Sequence, residues 1–327
     1  MTVVKVAILG FGTVGQGIYN ILKDKREHFK TTLGVDIEVA KILVRNCSKQ
    51  RDKIDAALLT DNMEDVLAVG GLDVVFEAIV GDEPAYSYLD QAIEKGINIV
   101  TANKVMFAKF GLTLQQKAAK YNVRVGYEAT TAGGVPVIKT MENILRVNDV
   151  QHIQGILNGT SNYILTQMRT EGMSFEKALK AAQDLGYAEA NPFDDVSGHD
   201  PFNKLMILSA LAFGKQPRWS DVEVVGISEI TLQQVKEADA IGKRYRHIAE
   251  VAIDETGVIR AKVGPELIGQ EHPLYAIDGV NNAVALDTNF IGTLTLVGPG
   301  AGMYPTASVM IEDYADMLVK KSALVTV

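Results

Sequence analysis

Four carboxylates and one amine are concentrated in a short stretch of this chain, at Glu189, Asp194, Asp195, Asp200 and Lys204. Ser197 and Asp200 have the spacing of a helix N-cap and capping box ahead of the apolar run from Leu205 to Phe213. Asp200 and Lys204 would then share one helix face. Such a carboxylate–ammonium pair can bind a polar substrate and move a proton, although a capped surface helix with an ordinary ion pair has the same pattern.

The composition favours a two-domain protein that acts on small molecules. A chain of 327 residues is long for one core, and 47% hydrophobic with 22% charged residues is ordinary for a globular protein. The net charge of -8 and the pI near 5.3 argue against nucleic acid as the main partner. No apolar run approaches the ~20 residues that span a bilayer, so no membrane association is expected.

The cytoplasm is the expected compartment. No signal peptide is visible ahead of the first predicted strand. Cys47 is the single cysteine, which excludes an intrachain disulfide and a cysteine-rich metal site. No spacing of His, Asp and Glu resembles a transition-metal site, and His152, in an apolar strand, is expected to line the core.

A glycine-rich turn follows the first predicted strand. The apolar run Val3–Leu9 leads into Gly10-Phe11-Gly12-Thr13-Val14-Gly15 and a helix predicted from residue 14 to 29. Gly10 permits a tight turn, Gly12 lets the backbone approach a pyrophosphate, and Gly15 allows close helix–strand packing. The helix N-terminus supplies N–H groups and a positive dipole end for phosphate. The motif therefore predicts a dinucleotide-binding site.

Strands and helices continue to alternate through the first 132 residues. Further strands are predicted at 37–44, 74–78, 97–100 and 123–127, with helices at 84–95 and 112–121. This alternation predicts an α/β fold with a Rossmann-type doubly wound parallel sheet, whose ligands bind at the carboxyl ends of the strands.

The end of the second strand bears on the choice of cofactor. An NAD-selective site usually has an acid there for the ribose 2′-hydroxyl. This chain has Arg45, with Lys49 and Arg51 close behind, and the next acid is Asp52. The basic cluster favours NADP, with NAD as a second cofactor, unless these side chains are only solvated in a loop.

A lysine follows the fourth predicted strand. In Thr101-Ala102-Asn103-Lys104, the lysine is at a strand's carboxyl end and would face the cofactor crevice. Lys104 is predicted to meet the nicotinamide or the substrate, and the alternative is a surface lysine that opens a helix.

The second domain is predicted to be α+β and to span residues 133–302. A strand at 150–157 leads into Gly159-Thr160-Ser161-Asn162, whose backbone, hydroxyl and amide groups can bind a small zwitterion. Helices are predicted at 135–145, 162–169, 174–185, 200–213 and 232–241, with Gly186 ending the third of them. Strands at 247–253, 258–263, 283–286 and 292–296 look like one sheet, which is a candidate dimer face.

The C-terminal segment is predicted to return to the first domain. The glycine-rich turn at 298–302 precedes a helix expected at 306–322, and residues 303–327 would complete the dinucleotide-binding domain.

These motifs together resemble the homoserine dehydrogenase family. The run from Ala182 to Lys204, with Gly186-Tyr187-Ala188, Asn191-Pro192, Asp195-Val196, Gly198 and Asp200, is similar to the family signature. Residues 10–15, 101–104, 127–130, 159–164 and 298–302 match further family motifs in order, over essentially the whole chain. Asn191 departs from the Asp that the family often has before the proline. Many relatives continue into an ACT-type regulatory domain, whereas a short form without one is expected here because the sequence stops at Val327.

The resemblance implies reversible oxidation of L-homoserine to L-aspartate 4-semialdehyde with NAD(P), on the route to threonine, methionine and isoleucine. It implies a catalytic group of Lys204, Asp200 and Lys104, and a substrate-binding group of Glu189, Asp200, Thr160, Tyr187 and Gly159. It adds Thr101, Gly186 and Gly302 to Phe11, Thr13 and Val14 as cofactor contacts. A monovalent cation, usually sodium, would bind Glu128 and the backbone carbonyls of Thr131, Gly133 and Val135. A homodimer is also implied.

The residue types suit this chemistry. A primary alcohol does not lose hydride easily while it keeps its proton, so an amine that takes the proton is needed, and the reverse reaction needs the same group as donor. Two lysines near each other and near an oxidised nicotinamide would disfavour the ammonium form. Glu189 would pair with the ammonium of the substrate.

Two other classes of function remain open from the sequence. One is a two-domain dehydrogenase for another small amino-acid aldehyde or imine, although a phosphorylating enzyme is disfavoured because Cys47 lies beside the adenosine end. The other is a nucleotide-sensing regulator without turnover. A regulator would need the glycine-rich loop but not Glu189, Asp200 and Lys204 together.

Overall fold

The computed structural model describes residues 2–49, 51 and 54–325, without the side chains of 320–325. Asp52, which entered the argument about the cofactor, lies outside the described residues. The chain divides into two compact units, Met1–Thr130 with Gly302–Val327, and Thr131–Ala301. These limits lie within two residues of the expected boundaries at 132 and 302. In the part of the chain that is described, no helix has the length and apolar character needed to cross a membrane.

A parallel sheet forms the centre of the first unit. Its strands are β1 Thr2–Leu9, β2 Val35–Leu43, β3 Leu59–Thr60, β4 Leu72–Glu77, β5 Asn98–Thr101 and β6 Val125–Gly126. They are hydrogen-bonded in the order β3-β2-β1-β4-β5-β6, and each pair is parallel. The strand order reverses between β1 and β4, so the prediction of a Rossmann-type doubly wound sheet is confirmed.

Helices flank this sheet. They are α1 Thr13–Asp24, α2 Arg26–Leu33, α3 Met63–Leu67, α4 Ala85–Glu94, α5 Lys104–Tyr121 and α12 Met303–Val325. The single helix predicted over 14–29 is wrong, because the chain turns at Lys25, which caps α1 with an N–H donated to Ile21 O at 2.9 Å. The turn lets α2 pack on β2 and bury Phe29.

The C-terminal helix α12 belongs to the core of the first unit. It packs on α1 at Gly17, where an added Cβ would lie 2.8 Å from Met303 O and 3.0 Å from Ala307 Cβ. The Tyr314 hydroxyl donates to Asp73 Oδ2 at 2.9 Å, and its ring meets Phe76 edge-on at 5.7 Å. Because strand residues such as Phe76 are fully buried, α12 covers apolar surface that would otherwise face water.

A mixed sheet forms the centre of the second unit. Its strands are β7 Val150–Ile156, β8 Glu223–Val224, β9 Arg244–Ile253, β10 Ile259–Ile268, β11 Asn281–Thr288 and β12 Gly292–Pro299. Their order is β12-β11-β7-β9-β10-β8, with antiparallel neighbours except for β8 beside β10. The four strands predicted between residues 247 and 296 do form one sheet, which β7 and β8 extend.

The helices of the second unit are α6 Val137–Ile144, α7 Gly159–Thr170, α8 Phe175–Asp184, α9 Phe193–Ser197, α10 His199–Phe213 and α11 Leu232–Ala240. Helix α10 packs on β9 and β7 and is buried over most of its length. The predicted capping box is wrong: Ser197 ends α9, and Gly198, at φ 93°, precedes α10 without a side-chain cap. The Ser197 hydroxyl instead bonds to His199 Nδ1 at 2.8 Å.

His152 does not line the core as expected. It lies on β7 and is half-exposed, with Nε2 2.9 Å from Glu250 Oε1 and Nδ1 3.0 Å from Asp287 Oδ2. These carboxylates come from β9 and β11, which flank β7 on either side. The hydrogen bond to Glu250 and the contact with Asp287 raise the pKa of His152.

Candidate active site

The glycine-rich loop of the first unit has the geometry of a phosphate cradle. Gly10 has φ 93°, and a Cβ there would lie 2.6 Å from Ala78 O, while a Cβ on Gly15 would lie 2.1 Å from Gly10 O. Gly12, at the start of α1, faces open space. The helix start has neither a side-chain cap nor an acid in its first turn, so its N–H groups can receive an anion. A dinucleotide pyrophosphate fits this loop.

A cleft of about 750 Å³ adjoins the loop within the first unit. Phe11, which contacts Tyr19 edge-on at 6.0 Å, and Tyr304 are among its lining residues. Lys49 and Arg51 also line it, and the Arg51 guanidinium donates to the carbonyl oxygens of Asn46 and Lys49 at 3.0 Å each. Lys23 and Asp24 line it as well, so the cleft combines aromatic surface with three cations and one carboxylate.

Arg45, the basic residue predicted to contact the cofactor, is placed differently. It is exposed just beyond β2 and is not among the described residues that line the cleft. The sequence pattern grouped Arg45 with Lys49 and Arg51, of which Lys49 and Arg51 line the cleft.

Glu77 is a buried carboxyl group at the carboxyl end of β4, and sequence reasoning missed it. It is 0% exposed, accepts the Ile79 N–H at 2.6 Å and accepts the hydroxyl of Thr101. Burial raises the pKa of Glu77 to about 7, against the lowering effect of these hydrogen bonds. The only signal in the sequence is an acid that ends an apolar strand.

Lys104 is the first residue of α5 and is half-buried. The residue before it, Asn103, caps this helix by accepting the Met106 N–H at 3.1 Å. Thr101 is buried, and its hydroxyl oxygen accepts the Asn103 N–H at 3.0 Å. The segment that carries Lys104 is thus fixed at the strand edge where a Rossmann-type sheet binds its ligands.

The predicted cation ligands are all oxygen atoms. Glu128 is 1% exposed in the first unit, and its backbone N–H donates to Asp313 Oδ2 at 3.0 Å. Thr131, Gly133 and Val135 belong to the second unit, where Gly133 has φ 58°. A carboxylate with backbone carbonyls suits a hard cation. Among the described residues, no group of three or more His, Cys, Asp or Glu could hold a metal ion.

The second unit holds Lys204 in a buried polar cluster. The Lys204 side chain is 9% exposed and that of Asp200 4%. Lys204 Nζ donates to Asp200 Oδ2 at 2.8 Å and to Leu157 O at 2.5 Å. Burial on this scale separates the pair from an ordinary surface ion pair, and a buried amine of this kind can serve as an acid or a base.

Asn158 connects this pair to the start of α7. Its side-chain amide donates to Asp200 Oδ2 and to Asp195 Oδ1, at 2.8 Å each, while its Oδ1 accepts the Ser161 N–H at 2.8 Å. Gly159 begins α7, where a Cβ would lie 2.7 Å from Val280 O. The role of Asn158 was not predicted from the sequence, although its position before a hydroxyl-rich helix start is typical of an N-cap.

The remaining predicted substrate residues lie close to this helix start or on an exposed connection. The Thr160 hydroxyl donates to Tyr187 O at 2.7 Å, and the Tyr187 ring contacts Tyr163. Gly186, at φ 76°, ends α8 as expected. Glu189 is exposed between α8 and α9, and its backbone carbonyl accepts the Gln183 amide at 3.2 Å.

His247, which belongs to none of the motifs predicted from the sequence, lies close enough to Asp200 for the carboxylate to influence its pKa. It is buried on β9, and its Nε2 is 2.9 Å from Val225 O. Burial lowers the pKa of His247, although the nearby Asp200 carboxylate acts in the opposite direction. His247 is therefore close enough to Asp200 for the carboxylate to act on it electrostatically.

A doubly wound sheet with this glycine-rich turn, together with a unit that buries a lysine–carboxylate pair, defines a class: the nicotinamide-dependent oxidoreductases. Comparisons with known proteins identify the family within this class. The family profile for the NAD binding domain of homoserine dehydrogenase matches residues 10–128, and the profile for homoserine dehydrogenase matches residues 136–315.

Proteins named homoserine dehydrogenase are similar to this chain over nearly its whole length. A homoserine dehydrogenase of Pseudomonas aeruginosa is 40% identical over 97% of this chain and 73% of its own length. The crystal structure of a homoserine dehydrogenase from Thiobacillus denitrificans matches with a TM-score of 0.92 and 38% identity, over 99% of this chain and 75% of that one. A hyperthermophilic archaeal homoserine dehydrogenase in complex with NADPH matches with a TM-score of 0.82 and 26% identity, covering 98% of both chains.

This chain belongs to the homoserine dehydrogenase family. It is an oxidoreductase that interconverts L-homoserine and L-aspartate 4-semialdehyde with a nicotinamide cofactor. The alternatives of another aldehyde dehydrogenase and of a sensor without turnover are thereby set aside.

Proposed function

We propose that Lys204 is the proton donor and acceptor of the homoserine dehydrogenase reaction. The observation that carries the proposal is its buried contact with Asp200 at 2.8 Å. When bound, the nicotinamide accepts hydride from the alcohol carbon or returns it to the aldehyde carbon. Lys204 moves the accompanying proton to or from the substrate oxygen, which is needed because an alcohol does not release hydride readily while it keeps its proton.

The carboxylate of Asp200 stabilises Lys204 in its ammonium form, because an opposite charge at this distance favours ionisation. An ammonium is the form that donates a proton to the aldehyde oxygen during reduction. Oxidation of the alcohol requires the neutral amine instead, which takes the hydroxyl proton. Lys104, on the first unit, is the second catalytic lysine of the proposal and contributes charge at the cofactor crevice.

The charged groups of the substrate indicate the roles of the other predicted residues. Glu189 pairs with the substrate ammonium, since the Asp200 carboxylate is already engaged by Lys204 and Asn158. Thr160, Gly159 and Tyr187, near the start of α7, bind the remaining polar atoms of the amino acid. The product feeds the routes to threonine, methionine and isoleucine.

NADP is the proposed preferred cofactor, with NAD also accepted. Support comes from Lys49 and Arg51 in the cleft beside the glycine-rich loop, because a 2′-phosphate needs cations that a 2′-hydroxyl does not. The predicted contacts at Arg45, Gly186 and Gly302 complete the cofactor site. Arg51→Ala should raise the KM for NADP far more than the KM for NAD. Arg45→Ala tests the predicted contact at Arg45 in the same way, and Lys95→Ala, at an exposed lysine that does not line the cleft, is the control. Equal changes in the two KM values for Arg51→Ala would contradict its contact with a 2′-phosphate.

A sodium ion at Glu128 and the carbonyls of Thr131, Gly133 and Val135 is proposed as a structural ion. Titration of turnover with sodium and with potassium tests it, and an activity indifferent to both ions and to Glu128→Gln contradicts it.

The proposed assembly is a homodimer through the second sheet. The expected compartment is the cytoplasm, which localisation of a tagged chain tests.

The reaction itself is tested by the absorbance of reduced nicotinamide. Purified protein at alkaline pH should produce the signal with L-homoserine, faster with NADP than with NAD, and not with L-serine or L-threonine. No signal with either cofactor, from protein that still binds NADPH, would overturn the proposed substrate.

A further inference from the structure

Glu77 is a fully buried titratable group of the first unit that the reaction described above does not use. It ends β4, which borders both β1 and β5, and the strand order of the sheet reverses between β1 and β4. In a doubly wound sheet this edge is where the dinucleotide binds. A carboxyl group that is completely buried at such an edge is costly and requires partners.

Those partners come from two loops. On its own loop, Glu77 Oε1 accepts the N–H of Ile79 at 2.6 Å. On the loop after β5, Oε2 accepts the Thr101 hydroxyl, whose oxygen in turn accepts the Asn103 N–H at 3.0 Å. The side-chain amide of Asn103 completes this hydrogen-bond network, because it donates to Gly81 O at 2.7 Å. Glu77 therefore ties residues 78–81 to residues 101–103.

Each of these loops borders a group that the cofactor needs. The loop after β4 contacts the glycine-rich turn, since a Cβ on Gly10 would lie 2.6 Å from Ala78 O and 3.2 Å from the Ile79 side chain. The loop after β5 ends at Asn103, and Lys104 follows it as the first residue of α5. A shift of either loop would move the phosphate cradle or the lysine.

We propose that Glu77 is a positioning residue, which locks the loops after β4 and β5 together and so holds the glycine-rich turn and Lys104 in register for the dinucleotide. The proposal rests on the assignment of the cofactor to this edge of the first unit. In its ionised form the side chain accepts from both loops at once. A Gln side chain keeps one acceptor oxygen but turns an amide donor toward Thr101, whose oxygen already accepts from Asn103.

The test compares Glu77→Gln with Glu64→Gln, which removes an exposed carboxylate from the same unit. Binding of NADPH is measured directly by its fluorescence, without turnover, and kinetics follow with L-homoserine. Glu77→Gln should weaken NADPH binding about tenfold, as expected for loss of a charge-assisted hydrogen bond, and should raise the KM for NADP more than the KM for L-homoserine. Equal affinity in the two variants would overturn the proposal.

Thr101 provides a second route if Glu77→Gln does not fold. Thr101→Val removes the link between the loops while Glu77 keeps its bond to Ile79, and Thr101→Ser keeps the hydroxyl. The valine variant should bind NADPH weakly and the serine variant almost normally. Equal binding by the valine and serine variants contradicts the proposal. Absence of NADPH binding by the unaltered protein would instead overturn the cofactor assignment, so the two failures are distinct.

Discussion

At the scale of single residues, burial separates the functional groups from their ordinary counterparts. An exposed lysine–aspartate pair contributes about 0–1 kcal/mol, whereas removing one partner of a buried pair costs roughly 3–5 kcal/mol. The side chains of Lys204 and Asp200 are 9% and 4% exposed, so the alternative of a solvated surface pair does not hold.

Glu77 gives a pH dependence that can be measured. Its pKa is about 7 in the folded protein and near 4.5 when exposed, so between these values the folded protein keeps a proton that the unfolded chain loses. The free energy of unfolding should therefore fall by on the order of 3 kcal/mol as pH rises through this window. Glu77→Gln removes the titratable group. As pH rises through this window, the free energy of unfolding of this variant, measured in urea, should therefore rise relative to that of the unaltered protein.

The exposed Glu64→Gln variant is the control for that titration, and its curve should run parallel to that of the unaltered protein. A Glu77→Gln curve that also ran parallel would mean that the pKa of Glu77 is the same in the folded and the unfolded protein, which would contradict the effect of burial.

The residues that could be predicted from the sequence differ from those that could not in how far along the chain their partners lie. The glycine-rich turn and the Asp200–Lys204 spacing are local features, and both could be predicted. Glu77 and His152 owe their environments to strands distant in sequence: Thr101 for the first, Glu250 and Asp287 for the second. The roles of Glu189, Arg45 and the cation ligands stay predictions.

At the scale of elements, the strands were easier to predict than the starts of helices. Apolar runs gave the long strands of both sheets to within about five residues at either end. In the first sheet the reason is that burial on both faces of a parallel strand leaves a clear pattern. Predictions of helix boundaries were wrong where no glycine or proline marks a break, as at Lys25. The Ser197 capping box failed because the Asp200 side chain bonds to Lys204 and Asn158 instead.

The contact between α1 and α12 predicts an effect on stability. In Gly17→Ala the new methyl group would overlap Met303 O at 2.8 Å, and this overlap should outweigh the gain in helix propensity. We expect a net loss of about 1–2 kcal/mol in urea unfolding. Gly70→Ala, at a glycine with open space around it, should change stability by less than about 0.5 kcal/mol. Equal values for both variants would contradict the close approach of the helices.

At the scale of the whole molecule, the proposed homodimer makes a prediction about mass. Phe290 and Ile291, at the turn between β11 and edge strand β12, are 75% and 53% exposed, and they are adjacent apolar side chains that the proposed interface would cover. Sedimentation should give twice the chain mass of 35.4 kDa for the unaltered protein, and monomer after Phe290→Ser with Ile291→Ser.

Ile241→Ser is the matched control for the dimer, because Ile241 is 67% exposed in the second unit but lies at the end of α11, just before β9 and at the opposite end of the sheet from that turn. It should leave the mass unchanged. A monomeric unaltered protein, or a dimer that survives the double substitution, would remove β12 from the interface.

The central claim, that Lys204 moves the proton, is tested most directly by turnover of Lys204→Ala with L-homoserine and NADP, beside the exposed-lysine control Lys177→Ala. General acid–base catalysis contributes about 10²–10⁴-fold, so kcat should fall by that factor in Lys204→Ala while NADPH binding stays within about twofold. The control should keep its kcat. Near-normal turnover in a folded Lys204→Ala protein would contradict the assignment.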